Sequence, residues 1–96
     1  MEEIPTIYIG KKNMSYYLNV CLRLLEKGKN HFIIEGLGDN VKKAVDVANF
    51  LRIFYRKGGI KITNIDIDLI EKDIVRGLPR KVSRIRIEIE REEGVK

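Results

Sequence analysis

Lys11 and Lys12 stand side by side in "TIYIGKKNMSYYL", where a β-branched run stops and an amphipathic one starts. Two adjacent ammonium groups do one kind of chemistry well, which is to neutralise an anion. A helix N-terminus disfavours cations, but its free N–H groups attract phosphate oxygens. The pair therefore makes sense if a phosphate backbone crosses that seam. A second cationic element lies far along the chain. Residues 72–86, "KDIVRGLPRKVSRIR", carry six basic side chains against Asp73 alone, and the rest of the chain holds 13 basic and 13 acidic ones. The whole net charge of +5 thus sits in one short segment. Solvated faces elsewhere in the chain are mixed in sign, so this segment reads as a polyanion-binding element.

Other residues with chemical potential resolve into structural roles. His31, the single histidine, has neither cysteine nor carboxylate at ligand spacing and reads as a strand-edge residue. Cys21 falls on the apolar stripe of a helix and reads as core. Asp66 with Asp68, and Glu88 with Glu90, are carboxylate pairs on outward strand faces. Arg84 and Arg86 share that face, so cross-strand ion pairing explains them better than acid–base or metal chemistry. "GLGD" resembles the opening of a nucleotide loop, but Val41 replaces the third glycine and Asp39 sets negative charge where phosphate would lie. Nothing assembles a nucleophile, a base and an orienting group. No enzyme, metal or cofactor is expected.

Length and composition agree with a binding module. Ninety-six residues, 44% hydrophobic and 34% charged, suit a single globular domain over 1–96. One cysteine cannot form an internal disulfide, which fits a reducing interior. No apolar run approaches the roughly 20 residues of a membrane helix, and the acidic start "MEEIPT" is unlike a signal peptide. A soluble cytoplasmic protein is expected, and abundant isoleucine without glutamine hints at a thermophile.

The elements that must position the cations follow from periodicity. "TIYIG" is a short buried strand. Asn13 caps a helix in which Met14, Tyr17, Leu18, Cys21, Leu22 and Leu25 recur at helical spacing until Gly28. "HFIIEG" is a second strand, and Asp39 or Asn40 caps a second helix from Val41 to about Arg56. "IKITNIDIDLI" is a third strand whose rhythm breaks. Ile60 and Ile62 share one parity and Ile65, Ile67 and Leu69 the other, so a bulge is expected at Thr63-Asn64. "VSRIRIEIE" is the fourth strand, joined to the third through "EKDIVRGLPRK". The order β-α-β-α-β-β predicts an α+β, two-layer fold with both helices on one face of a mixed four-stranded sheet. The last two strands form a long hairpin arm, about 66–89, whose tip carries the spare charge. The second helix shows two apolar lines, and Val47, Phe50, Leu51, Phe54 and Tyr55 exceed what one sheet contact needs. A wide core contact is one explanation. A subunit interface on this helix is the other, and we favour it.

"IYIGKKNMSYYL", "IIEGLGDNVKKAVDVANFLR" and "KVSRIRIEI" together resemble Alba, the archaeal chromatin family, over about residues 6–91. The resemblance implies homodimers that coat double-stranded DNA and also bind RNA. It implies backbone contacts from Lys11 and Lys12, with Lys11 as the family's regulatory acetylation site. It implies a hairpin in the minor groove, bringing in Arg76, Arg80 and Lys81, with Arg84 and Arg86 near its base. Lys43 matches the lysine of the family's K-A-V-D run, and Tyr55 its aromatic residue between neighbouring dimers. One departure stands out. Where the family carries arginines around a glycine before the second helix, this chain has Leu37-Gly38-Asp39, with Lys42 as partial compensation.

The leading expectation is a non-catalytic, largely sequence-independent DNA-binding chromatin protein, cytoplasmic and chromosome-associated, acting as a homodimer and also binding RNA. The alternative is a protein-interaction partner that heterodimerises with another Alba-type protein, or an RNA-assembly subunit.

Overall fold

The computed structural model describes residues 3–92, without the side chains of residues 73–75. The first two residues of the acidic start, the end of the expected domain at 93–96 and the side chain of Asp73 lie outside the described residues. The element order is β1 (Thr6–Tyr8), α1 (Met14–Glu26), β2 (His31–Leu37), a 3₁₀ turn (Gly38–Asn40), α2 (Val41–Phe54), β3 (Ile60–Val75) and β4 (Leu78–Arg91). This is the expected α+β order.

The strands form one mixed sheet in the order β1-β2-β4-β3. β1 runs parallel to β2, and the β2–β4 and β4–β3 pairs are antiparallel. Alternation divides the sheet into two faces. Phe32, Ile34, Ile85, Ile87 and Ile89 are buried beneath the helices with Cys21, Leu25, Ala44, Val47, Ala48 and Leu51. The other face carries His31, Glu35, Arg84, Arg86, Glu88 and Glu90. Gly36 permits the second helix and the turn before it to sit this close, since a Cβ there would lie 2.6 Å from the Asn40 carbonyl oxygen and 2.8 Å from Ala44 Cβ.

β3 contains the expected fault. The register slips between Ile62 and Asn64, leaving Thr63 as the extra residue. Ile62 faces Ile89 and Ile65 faces Ile87, so the bulge returns both parities to the helix-bearing face.

Two local expectations are corrected. Asn13 caps α1 as expected, its Oδ1 accepting from the Tyr16 N–H at 3.0 Å. Asn40 stands at the N-cap of α2 but makes no side-chain cap bond, and the 3₁₀ turn takes its place, the Val41 N–H donating to the Gly38 carbonyl. The connection "EKDIVRGLPRK" is mostly strand. β3 and β4 continue to Val75 and Leu78, and only Arg76 and Gly77 turn the chain. Both have positive φ, 53° and 77°, the conformation that joins two strands through a two-residue loop with the right twist.

The arm stretches the molecule. The radius of gyration is 14.6 Å over a body of 54 × 31 × 19 Å, against about 12.5 Å for a compact chain of this length.

Candidate nucleic-acid interface

The lysine loop is built by two side chains from the helices. Tyr17, buried on α1, turns its hydroxyl oxygen to accept from the Gly10 N–H at 2.8 Å and the Lys12 N–H at 3.2 Å. Lys43 on α2 donates from Nζ to the carbonyls of Gly10 and Lys12, each at 2.8 Å. The same ammonium lies 5.9 Å from the Tyr17 ring centroid. Both sides of the loop backbone are thus held, while the Lys11 and Lys12 side chains stay exposed. Lys12 Nζ sits 5.8 Å from the ring of Tyr16, a cation–π contact that steers it without neutralising it.

This geometry adds to two expectations. The Gly10 and Lys12 N–H groups, which precede the first turn of α1, are engaged by Tyr17. Lys43, expected to meet nucleic acid, uses its ammonium in this structure to hold the loop. Sequence reasoning missed Tyr17 altogether. Its place on the buried stripe explained it as core, and its hydroxyl role depends on a backbone turn that periodicity does not show.

The basic segment divides in two. Lys72, Arg76, Arg80 and Lys81 are exposed on the arm, and none pairs with a carboxylate among the described residues. The arginines at its base are already paired, and of the carboxylates expected to pair across strands Asp68 does so with Arg84, whereas Glu88 meets His31 and Asp66 accepts from Asn64. Arg84 grips Asp68 with two bonds, Nε to Oδ1 at 2.9 Å and Nη2 to Oδ2 at 2.5 Å. The Arg84 guanidinium holds the Asp68 carboxyl below its usual range. Arg86 Nε lies 3.2 Å from Glu35 Oε1, out of line for a hydrogen bond. Arg84 and Arg86 therefore bring little free charge to an anion.

Register fixes where these groups stand. β1 and β2 are parallel, so the lysine loop after Tyr8 and the turn after Leu37 leave the sheet at one end. Leu37 faces Arg84 on β4, which sends Leu78–Lys81 beyond that same end. Loop and arm thus rise from one end of the sheet, on opposite edges. Between them stands exposed Asp39. Lys42 pairs with Asp46 at 2.9 Å, and that carboxylate raises its pKa.

The expected interface residues also separate. Val47 and Leu51 are 0% and 1% exposed. They lie in the chain's own core, because the buried face of α2 takes Ala44, Val47, Ala48 and Leu51 from both apolar lines. Phe50 and Phe54 stack with parallel rings 5.5 Å apart, and Phe54 is exposed beside Ile53. Tyr55 is half-buried against Arg91, 5.5 Å from its ring. A larger apolar strip lies on β3, where Ile65, Ile67 and Leu69 are all more than half exposed on the helix side of the sheet. Ile67, Leu69, Ile85 and Val41 line a groove of about 480 Å³. The alternation of those three residues was the available signal, since two helices cannot cover four strands.

His31 contacts the Glu88 carboxylate, with a ligand atom of Glu90 inside the same 4.8 Å cluster. That grouping went unseen because 57 residues separate His31 from Glu88. Cys21 is fully buried, and burial pushes its thiol up to about 12.

The model of the Alba family matches residues 5–69. The "DNA/RNA-binding protein Alba" of Nanoarchaeum equitans is 33% identical over 87 residues, covering 90% of this chain and 97% of that one. The chain belongs to the Alba family. Among solved structures, Alba from Thermoplasma volcanium superposes with a TM-score of 0.82 at 28% identity, covering 90% of this chain and 99% of that one. ALBA1 from Trypanosoma brucei, at 18% identity and a TM-score of 0.73, shares the fold, with 99% of this chain covered and 75% of that one. The family match confirms the resemblance and stops short of the arm's tip, so the tip must be read from its own residues.

Proposed function

We infer that this chain is a non-catalytic nucleic-acid binder, one domain acting as a homodimer on duplex DNA, largely without regard to sequence, and on RNA as well. One observation carries the reading: the clamped lysine loop and the exposed cations of the arm rise from the same end of the sheet. A single polyanion can touch both. The Nanoarchaeum relative's description as a DNA/RNA-binding protein supports it. Sequence independence follows from the chemistry, because ammonium and guanidinium groups on phosphate carry no base information. Lys11, Lys12, Arg76, Arg80 and Lys81 are the principal contacts, with Lys72 added. A second copy covers the strip of Ile65, Ile67 and Leu69 together with Phe50 and Phe54. In this reading the protein coats chromosomal DNA in the cytoplasm, and acetylation of Lys11 removes one phosphate contact.

Duplex affinity measured across salt tests the mechanism. About six phosphate contacts per chain give log K against log salt a slope near −5 per chain. A flat response would falsify it.

Asp39 favours a second reading. A carboxylate in the gap between loop and arm weakens a continuous phosphate track, as expected of a partner that heterodimerises with another Alba-type protein or joins an RNA assembly. Negligible affinity of the isolated protein for both duplex DNA and RNA decides for this second reading.

A further inference from the structure

The tip of the arm presents an apolar residue where solvent alone would favour a polar one. Leu78 is 70% exposed, and Pro79 beside it is exposed too. Basic side chains surround them: Arg76 in the turn, Arg80 and Lys81 behind it on β4, and Lys72 on β3. Arg76 holds a left-handed φ of 53°, a place where asparagine or glycine is easier. A cation is kept at the tip despite that conformational cost.

Reach and width narrow the role. Val82 is the last buried residue on β4 towards the tip, and Leu78 lies four residues further on. At about 3.3 Å per residue the tip stands roughly 13 Å beyond the body. That exceeds the depth of a DNA minor groove, about 7.5 Å, but the groove is only about 6 Å wide. Two strands about 4.8 Å apart, with side chains on both sides, are wider than that. Such a ribbon enters the minor groove only where the groove has been opened. Apolar wedges open it by separating two stacked base pairs and kinking the duplex towards the major groove, and leucine and proline are among the residues that do so.

We propose that Leu78, backed by Pro79, inserts between adjacent base pairs of duplex DNA and that the protein bends DNA at that step. The proposal rests on the nucleic-acid reading above and adds an activity to it. The arm's cations hold phosphates on either side while the leucine leaves water for the base stack. Pyrimidine–purine steps unstack most easily, so the protein acquires a preference for flexible steps although it reads no base edge. An RNA duplex, with its wide and shallow minor groove, needs no such opening and is not bent.

The full-length protein is saturated onto a short duplex carrying 2-aminopurine at a central TA step, with a fluorophore pair at the two ends. The expected result is a several-fold rise in 2-aminopurine fluorescence together with a shortened end-to-end distance. Leu78→Ser abolishes both signals, lowers affinity about tenfold, since the gain from burying one leucine is partly offset by the unstacking it drives, and leaves the salt slope unchanged because no cation is lost. Wild type prefers the TA duplex to an A-tract several-fold, and the variant does not. A straight duplex with stacked 2-aminopurine, bound at normal affinity, overturns the wedge alone. Absence of wild-type binding overturns the nucleic-acid reading and the wedge with it. A variant that still bends DNA but sediments as a different oligomer makes Leu78 a contact between copies and also overturns the proposal. Should Leu78→Ser disturb the hairpin, the wild-type fluorescence decides by itself.

Discussion

The lysine loop is tied down at the N–H and the carbonyl of both Gly10 and Lys12, whereas the arm beyond Val82 holds only to its own partner strand among the described residues. These are two solutions to one problem. A loop fixed in advance loses little conformational freedom on binding, so most of its electrostatic attraction appears as affinity. An arm that adapts gives up part of its attraction to ordering, but gains reach and can follow a groove. The contrast also separates cations that look alike in sequence. Arg80 and Lys81 are open to solvent, while Arg84 and Arg86, a few residues along the same strand, are paired with Asp68 and Glu35.

The largest effect expected from this contrast is at the loop. Lys11→Ala with Lys12→Ala removes two preorganised contacts. At about 0.1 M salt the pair is worth roughly fifty-fold in duplex affinity, and the salt slope falls in magnitude by about 2. Fluorescence anisotropy across a salt series measures both. A loss no greater than that of any two surface lysines breaks the comparison. The next effect is at the arm. Arg80→Ala with Lys81→Ala lowers the slope by a similar amount, but affinity falls only about tenfold, because ordering the arm offsets part of the gain. Arg84→Ala with Arg86→Ala is the control. It leaves the slope nearly unchanged and lowers the thermal midpoint instead, since each guanidinium already has a carboxylate.

The sequence announced the fold and the free cations more clearly than it announced the bonds among them. The bulge at Thr63 was legible because isoleucines change phase there, and a phase change on a buried face must be absorbed by an extra residue. A long arm was legible, but not that its connection is itself strand almost to the turn, since Gly77 and Pro79 read as loop punctuation. Pro79 instead faces Ile74 beside a second register slip, where a missing N–H is tolerated. Helical phase also cannot tell which of two apolar lines faces a helix's own sheet, so Val47 and Leu51 looked available and are core. Lys43 is the clearest limit. Its partners are backbone carbonyls 33 and 31 residues away, and no residue type records them.

A smaller effect isolates the clamp. Tyr17→Phe keeps the buried ring and all the charge but removes the acceptor shared by Gly10 and Lys12. Two hydrogen bonds of about 1 kcal/mol each set the scale, so duplex affinity should fall about three- to tenfold with the salt slope unchanged. Amide exchange at Gly10 and Lys12 should accelerate by a comparable factor without any nucleic acid present. Lys43→Met should speed exchange at the loop as well. A direct phosphate contact from Lys43 predicts instead a slope reduced by about 0.9 and unaltered exchange, so the two roles separate cleanly.

The smallest effect concerns the base of the arm and appears as pH dependence. Arg84 lowers the folded-state pKa of Asp68 below its usual 3.8, chiefly through their hydrogen bonds. A carboxyl whose pKa is depressed by folding contributes stability that is complete above its unfolded value and is lost as pH falls through the folded one. Lys61 and Glu92, 2.7 Å apart, behave alike, the carboxyl of Glu92 being lowered in the same direction. Urea midpoints of wild type and Asp68→Asn should therefore differ by a constant small amount at neutral pH and converge below about pH 4. Solvent exposure keeps the difference small. Because Asp68 is bound to Arg84 rather than to any cation of the tip, Asp68→Asn should leave the behaviour of Arg76, Arg80 and Lys81 untouched. A variant whose salt slope steepens at neutral pH would mean that the freed Arg84 reaches phosphate, and the division between paired base and open tip would then be one of occupancy rather than of position.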